Sequence, residues 1–327
     1  MKEFTSQAIA LENGKISLGS RCELKSIEHR YNKRGEQERI ERDGVFVNWQ
    51  KKADDAYALV AEQTFDKDHR HEKTNLEVNS PQLLRACRDV IQYHPDLPGD
   101  FEQPVVVQDP FEVFFHYRKE LAQYRDESKD DKVKMHIKLL LDFLHLQWGD
   151  LARLVDAYDA DGLVRFKLLW TIFKPGDLIY REEYGHERLY RLDQVAYQEH
   201  KTQGPYLKLD GLYTYFDGNN VGMAKDELRI YQVKEFAGEK ASKIQGLSLY
   251  PLRYRTEIEA LKKRLTDRGH RFLGMQKAKL WFYHGLFVFL KEPPGDFYDE
   301  TMDMDGIWLT RTVSYRPRDL DILVANG

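Results

Sequence analysis

The spacing of apolar residues divides the 327-residue chain into three zones. In residues 1–79, apolar positions alternate over short stretches, as half-buried strands require. CELKSI (22–27) and GVFVNW (44–49) read as strands. Between them, the polar run 30–42 with Gly35 reads as a hairpin tip. The Ala-Leu-Val-Ala core of 54–65 reads as another strand, and DKDHRHEK (66–73) as a solvated loop. From Ser80 to about residue 165 the period becomes helical. Ser80 stands as N-cap before Pro81, and Leu83, Leu84, Cys87, Val90 and Ile91 recur on one face. QPVVVQ (103–108) interrupts as a strand. Asp109-Pro110 then repeats the cap-and-proline start, with Phe111, Phe114, Tyr117, Leu121 and Tyr124 on one face.

The longest periodic stretch is 128–158. Val133, Ile137, Leu140, Leu144, Leu151 and Val155 form a stripe of heptad type, with Trp148 near its gap and Gly149 as a point where one helix can end and another begin. This stripe packs against the preceding helix or forms an oligomerisation seam. Beyond Leu168 the period returns to two. Five short strands are predicted at 178–180, 187–192, 206–216, 222–232 and 244–250, with Asp217-Gly218-Asn219-Asn220 supplying hairpin chemistry. Thr256 to Glu259 has the form of a capping box for one helix over 256–268, stopped by Gly269. Closing strands follow at 279–283, 285–290 and 307–315. The expected fold is therefore α+β: a helical hairpin packed with a small antiparallel β-barrel or curled sheet. The expected division is a β-rich region 1–79, a helical segment 80–165 and a barrel-like region 166–327.

Composition narrows the function. Lys and Arg total 50 against 54 Asp and Glu, a net charge of −4, so no global field favours nucleic acid. Nineteen Tyr and 17 Phe argue against disorder. Cys22 and Cys87 alone make neither a disulfide framework nor a zinc set, which fits a reducing compartment. No secretory h-region and no run of membrane-spanning length occurs, so the chain reads as cytoplasmic or otherwise intracellular, without a membrane partner.

Candidate chemistry is sparse. His69 and His71 with Asp66, Asp68 and Glu72 are metal-like residues in a polar loop. Asp303, Asp305 and Gly306 match part of a calcium loop, but Thr301 and Thr312 fall where its first and last ligands belong. No metal and no cofactor is expected. His116, His136 and His145 lie on helices without a nucleophile partner of recognisable spacing. The tyrosines of the last zone are the more informative set. Trp170, Tyr180, Tyr190 and Tyr250 are candidate ligand-binding residues, and Tyr206 and Phe216 belong to the same set. Tyr213, Tyr215, Asp217, Asp210 and His200 are the candidate catalytic groups, if alternate strand residues line a concave pocket. Ordinary cross-strand packing is the competing explanation.

Several blocks carry a resemblance. Leu168-Leu-Trp-Thr-Ile-Phe-Lys-Pro-Gly-Asp-Leu-Ile-Tyr180 is similar to a signature of the uncharacterised domain that precedes the motor in filamentous-fungal AAA+ ATPases. Residues 75–83, 115–121, 139–143, 210–222, 247–252, 265–269 and Phe272 resemble further blocks of it, in the family's order. The resemblance implies a recognition or adaptor module, in front of a motor, that binds a protein substrate or partner. The sequence lacks G-x-x-x-x-G-K-[ST], and Gly238 to Lys243 lacks the second glycine, so these residues are not an ATPase by themselves. The chain reads either as an isolated N-terminal portion or as a stand-alone relative. Two alternatives stand beside the adaptor: a fungal biosynthetic enzyme or binder of a small hydrophobic ligand, and a structural homo-oligomer built on the 133–155 stripe.

Overall fold

The computed structural model describes residues 18–41, 54–183, 185–216 and 220–274, with strand segments at 281–283, 287–289, 308–310 and 313–315. The fold is α+β. The chain forms two compact units, one of residues up to Asp161 with Trp170–Gly176, the other of Gly162–Leu169 and the residues from Asp177 onward.

In the first unit, β1 (Arg21–Tyr31), β2 (Gln37–Glu41), β3 (Tyr57–Phe65), β4 (His71–Val78) and β5 (Val105–Gln108) form a sheet of order β2-β1-β3-β4-β5. Only β1 and β3 run parallel; the other neighbours are antiparallel. The hairpin tip expected at Gly35 is present: Asn32 Oδ1 accepts from the Arg34 and Glu36 amides at 2.8 and 3.0 Å, and Gly35 takes φ 77°. Leu59, Ala61, Leu76, Val78, Val105 and Val107 share one face by register and are buried. Residues 66–73 correct the sequence reading in part, since β4 starts at His71. Asp66 Oδ1 accepts from the Asp68 and Arg70 amides and His71 Nε2 pairs with Thr74 Oγ1 at 2.8 Å, so these polar residues build a hairpin turn. The strand expected at 44–49 and the acidic loop near Asp303 lie outside the described residues.

Helix α1 (Pro81–Val90) starts as its sequence requires. The Ser80 hydroxyl accepts from the Leu83 amide at 3.1 Å and pairs with His136 Nδ1 at 2.7 Å. Leu83, Leu84 and Cys87 point inward, and burial pushes the Cys87 thiol up to about 12. The second expected cap is displaced. Asp109 instead accepts from the Thr74 amide at 2.7 Å, and Phe111 enters the helix at φ 56°. The helix itself breaks at Tyr117 into α2 (Glu112–His116) and α3 (Arg118–Glu127). Helix α4 (Asp131–Ala160) bends at Trp148, φ −133°, beside Gly149. It packs on α1, α3 and β1, and its Val133, Ile137, Leu140, Leu144 and Val155 are buried there. Five of the six stripe residues are thus buried within the unit, and Leu151 is half-buried.

The second unit contains β6 (Leu163–Val164), β7 (Leu178–Glu183), β8 (His186–His200), β9 (Gly204–Phe216), β10 (Val221–Tyr231), β11 (Ser242–Lys243) and β12 (Leu249–Pro251). Its main sheet is antiparallel, of order β10-β9-β8-β7-β12. This corrects the expected barrel: β10 and β12 are the two edges, and the sheet is open. The segment meant to close it is spent on a one-turn helix (Gln232–Glu235) and two 3₁₀ turns, leaving β12 three residues long. A bulge at Asp193 resets the alternation of β8, so the strand runs past Leu192 to His200. Helix α5 (Leu169–Ile172) and the one-turn α6 (Gln232–Glu235) precede α7 (Ile258–Gly274). The capping box at Thr256 is not formed, because α7 begins at Ile258 after Glu257 at φ 56°, and it runs through Gly269. Strand pairs β13 (Trp281–Tyr283) with β16 (Val313–Tyr315) and β14 (Phe287–Phe289) with β15 (Trp308–Thr310) complete the description.

Burial lowers the pKa of His29, His94 and His136 from 6.5. At these three histidines the unfolded chain therefore binds more protons than the folded one as the pH falls below about 6.5. The stabilisation is complete above that pH and is lost as pH drops toward the folded values. Urea titrations should show stability falling from pH 7 to pH 5, with a shallower slope in His136→Gln. A pH-independent midpoint over this range contradicts the assignment.

Candidate functional site

The second unit's sheet has one apolar face. Register places Ile179, Leu192, Leu207, Leu209, Leu228, Ile230 and Leu249 on it, all at most 1 % exposed. Gly211, Asp226, Tyr190 and Arg188 lie on the same face, as do Arg181 and Glu183 of β7 and Tyr213 and Tyr215 of β9. Polar residues there stand out because strand alternation should reserve the face for the core.

The sheet also divides at this end. Pairing between β8 and β9 stops at Arg191 opposite Leu212. Beyond that point β7 and β8 continue as one hairpin to Glu183 opposite His186, and β9 and β10 as another to Phe216 opposite Val221. Tyr190 sits at the root of this fork. Its ring packs on Gly211, where an added Cβ would come within 3.1 Å of Tyr190 Cβ and Leu228 Cδ1. It meets the Tyr213 ring edge-on at 5.9 Å, and Tyr213 meets Tyr215 at 6.4 Å. The row runs outward from Tyr190, 1 % exposed, through half-buried Tyr213, to Tyr215, 36 % exposed.

The Tyr190 hydroxyl is sealed from solvent. Arg188 and Asp226 are its polar neighbours. Burial raises the pKa of the Asp226 carboxyl, against the opposing pull of Arg181, Tyr190 and Arg188. Burial likewise raises Tyr190 and Tyr213, with Asp226 adding to both. Arg181 pairs with Glu183 at 2.8 Å. Arg268 of α7 donates to the Glu187 carbonyl at 2.8 Å, and burial and the adjacent Arg188 lower its pKa. Arg181 and Arg188 thus join Glu183 and Asp226 near one buried phenol.

Alternation separates the residues that the sequence grouped together. Tyr190, Tyr213 and Tyr215 share the fork. Tyr180 and Tyr250 are opposite one another on the other face, rings 5.3 Å apart, under the Arg255 guanidinium at 4.0 Å from Tyr180. Arg255 also donates to the Tyr250 hydroxyl at 3.2 Å and to Glu187 at 2.8 Å. Burial, then the hydrogen bond to Glu182, pushes Tyr180 up to about 12. Asp210 is on that face too, in a charge ladder with Lys225 at 2.8 Å and Lys208 at 3.7 Å. His200 Nδ1 accepts from the Thr202 and Gln203 amides at 3.3 Å, capping the β8–β9 turn. Trp170 belongs to the first unit, where its ring packs tilted against Phe115 at 4.9 Å and its carbonyl pairs with His116 Nε2 at 2.8 Å. Asp217 lies outside the described residues.

Asp226, Arg181 and Arg188 were missed in the sequence. The signal was parity: Asp226 is two residues before Leu228 and four before Ile230, and so takes an inward position within the charged triplet Lys225-Asp226-Glu227. Among the described residues no group of three or more His, Cys, Asp and Glu is placed to hold a metal, and no helix is long and apolar enough to cross a membrane.

Residues 155–256 match a family model described as "Domain of unknown function (DUF7025)". The matched stretch contains all strands of the second unit's main sheet and every fork residue except Arg268. No curated protein and no solved structure matches the chain.

Packing at the fork root has a direct test. Gly211→Val should force Tyr190 or Leu228 aside and cost about 1–3 kcal/mol by overpacking. Chemical denaturation would measure this, and an unchanged midpoint would show that Tyr190 does not rest on the glycine.

Proposed function

We propose that this chain is a non-catalytic recognition module that binds a protein partner through the sheet of its second unit. The observation that carries this reading is the graded tyrosine row, from sealed Tyr190 to Tyr215 at 36 % exposure. Tyrosines present large, stiff, amphipathic surface at low entropic cost, which is why they anchor protein interfaces. The same hairpin exposes Val221 at 48 % and Met223 at 56 % on its other face. Its end is therefore apolar on both sides, as an arm that engages a partner would be. The resemblance to the domain preceding fungal AAA+ motors supports the same role, with the partner as substrate or adaptor. These 327 residues contain no P-loop, so the module would contribute binding rather than nucleotide hydrolysis.

A second reading is a stand-alone fungal biosynthetic enzyme or small-molecule binder. It is favoured by one observation, the inward Asp226 carboxyl beside the Tyr190 phenol, a pair able to hold or move a proton.

A random-peptide phage selection on the purified chain tests the leading reading. It should enrich a consensus, and a synthetic peptide of that consensus should bind at least tenfold more weakly to Tyr213→Ser/Tyr215→Ser. Calorimetry with ATP should give no binding heat. Failure to enrich any peptide, binding indifferent to the double replacement, or micromolar ATP affinity would each refute the proposal.

A further inference from the structure

We propose that the edge strand β10 is a dimerisation surface, to which a second copy of this chain adds its own β10 in antiparallel register. This goes beyond the recognition reading and does not depend on the fork. Of the two edges of the sheet, β12 is three residues long and ends in Pro251. The other edge, β10, is eleven residues long, contains no proline and pairs with β9 throughout without a bulge. Among the described residues no strand pairs with its outer side. Such an edge offers a row of main-chain donors and acceptors to another strand, unless its side chains prevent the pairing. Its Val221 and Met223 are 48 % and 56 % exposed, apolar surface that a neighbouring strand would cover.

The side chains of β10 select the occupant. A two-fold axis through Asp226, perpendicular to the sheet, engages the whole strand and keeps each side chain on its own face. Lys225 then stands opposite Glu227 of the second copy, and symmetry repeats the pair. Both residues already belong to the charge ladder with Asp210 and Lys208, which the pairing extends across the axis. On the inner face, Gly222 meets Ile230 and Ala224 meets Leu228, small against large each time. Val221 meets Tyr231 on the outer face. Opposite charges and aromatic–β-branched pairs are the cross-strand contacts that stabilise sheets. Asp226 meets its own copy, and burial favours its neutral form, in which two carboxyls can share hydrogen bonds. Moving the axis to either neighbouring residue sets Lys225 against Lys225 or Glu227 against Glu227 and removes both ion pairs. A strand of unrelated sequence has no such match for the charged centre Lys225-Asp226-Glu227.

Sedimentation equilibrium on the full chain should show a reversible monomer–dimer equilibrium. Lys225→Glu and Glu227→Lys each turn both ion pairs into like-charge pairs, and each should raise the dimer Kd about tenfold. An equimolar mixture of the two variants restores both pairs in the heterodimer and should associate as tightly as the wild type. Each variant also disturbs a contact within its own chain, to Asp210 or to Lys208, so the wild type supplies an independent readout. In it, amide exchange at alternate residues of β10 should slow as the protein concentration rises. A monomer at every concentration, a dimer indifferent to both substitutions, a mixture no tighter than either variant alone, or β10 exchange independent of concentration would overturn the proposal.

Discussion

The second unit depends on the contact between the Tyr190 ring and the bare backbone of Gly211. The glycine lets a large phenol lie against the sheet at 3.1 Å from where a Cβ would stand. That contact lies at the end of the β8–β9 ladder, whose last pair is Arg191 with Leu212. From there the strands part as two hairpins, each held by its own ladder. The fork, the tyrosine row and the inward charges all follow from where that shared pairing ends.

Strand alternation then assigns every polar group to a face. Lys208, Asp210, Lys225, Glu227 and Arg229 interlock on one side as a charge ladder. The partly exposed pairs of this ladder contribute little individually, and their alternation with the buried positions helps keep the register single. Asp226, Arg181 and Arg188 are on the other side, among leucines and isoleucines, where polar groups are costly. A polar cluster held at such a cost is what the proposed recognition role would account for. The match of residues 155–256 to one family model covers the same sheet.

Much of this architecture was legible in the residues. Ser80-Pro81 announced α1, Gly35 the β1–β2 turn, and the 133–155 spacing the long helix, because each depends on local backbone chemistry. The failures came where local pattern and three-dimensional pairing diverge. The bulge at Asp193 breaks the alternation of β8 and hid half of the strand. The barrel was inferred from strand count, but closure depends on which edges meet, and β12 has only three residues to offer. The aromatic site was drawn from residue type. Parity divides it: Tyr190, Tyr213 and Tyr215 face one way, Tyr180 and Tyr250 the other. Asp226 sits in a run of three consecutive charges, although counting back from Leu228 places it inward.

Amide hydrogen exchange followed residue by residue tests the fork most directly. The account predicts strong protection through Leu192 and 207–212, and rapid exchange at the amides of 186–190 and 213–216 that are not bonded to β7 or β10. Continuous protection of both strands past Arg191 and Leu212 would mean that the ladder stays closed there, and the account would fail.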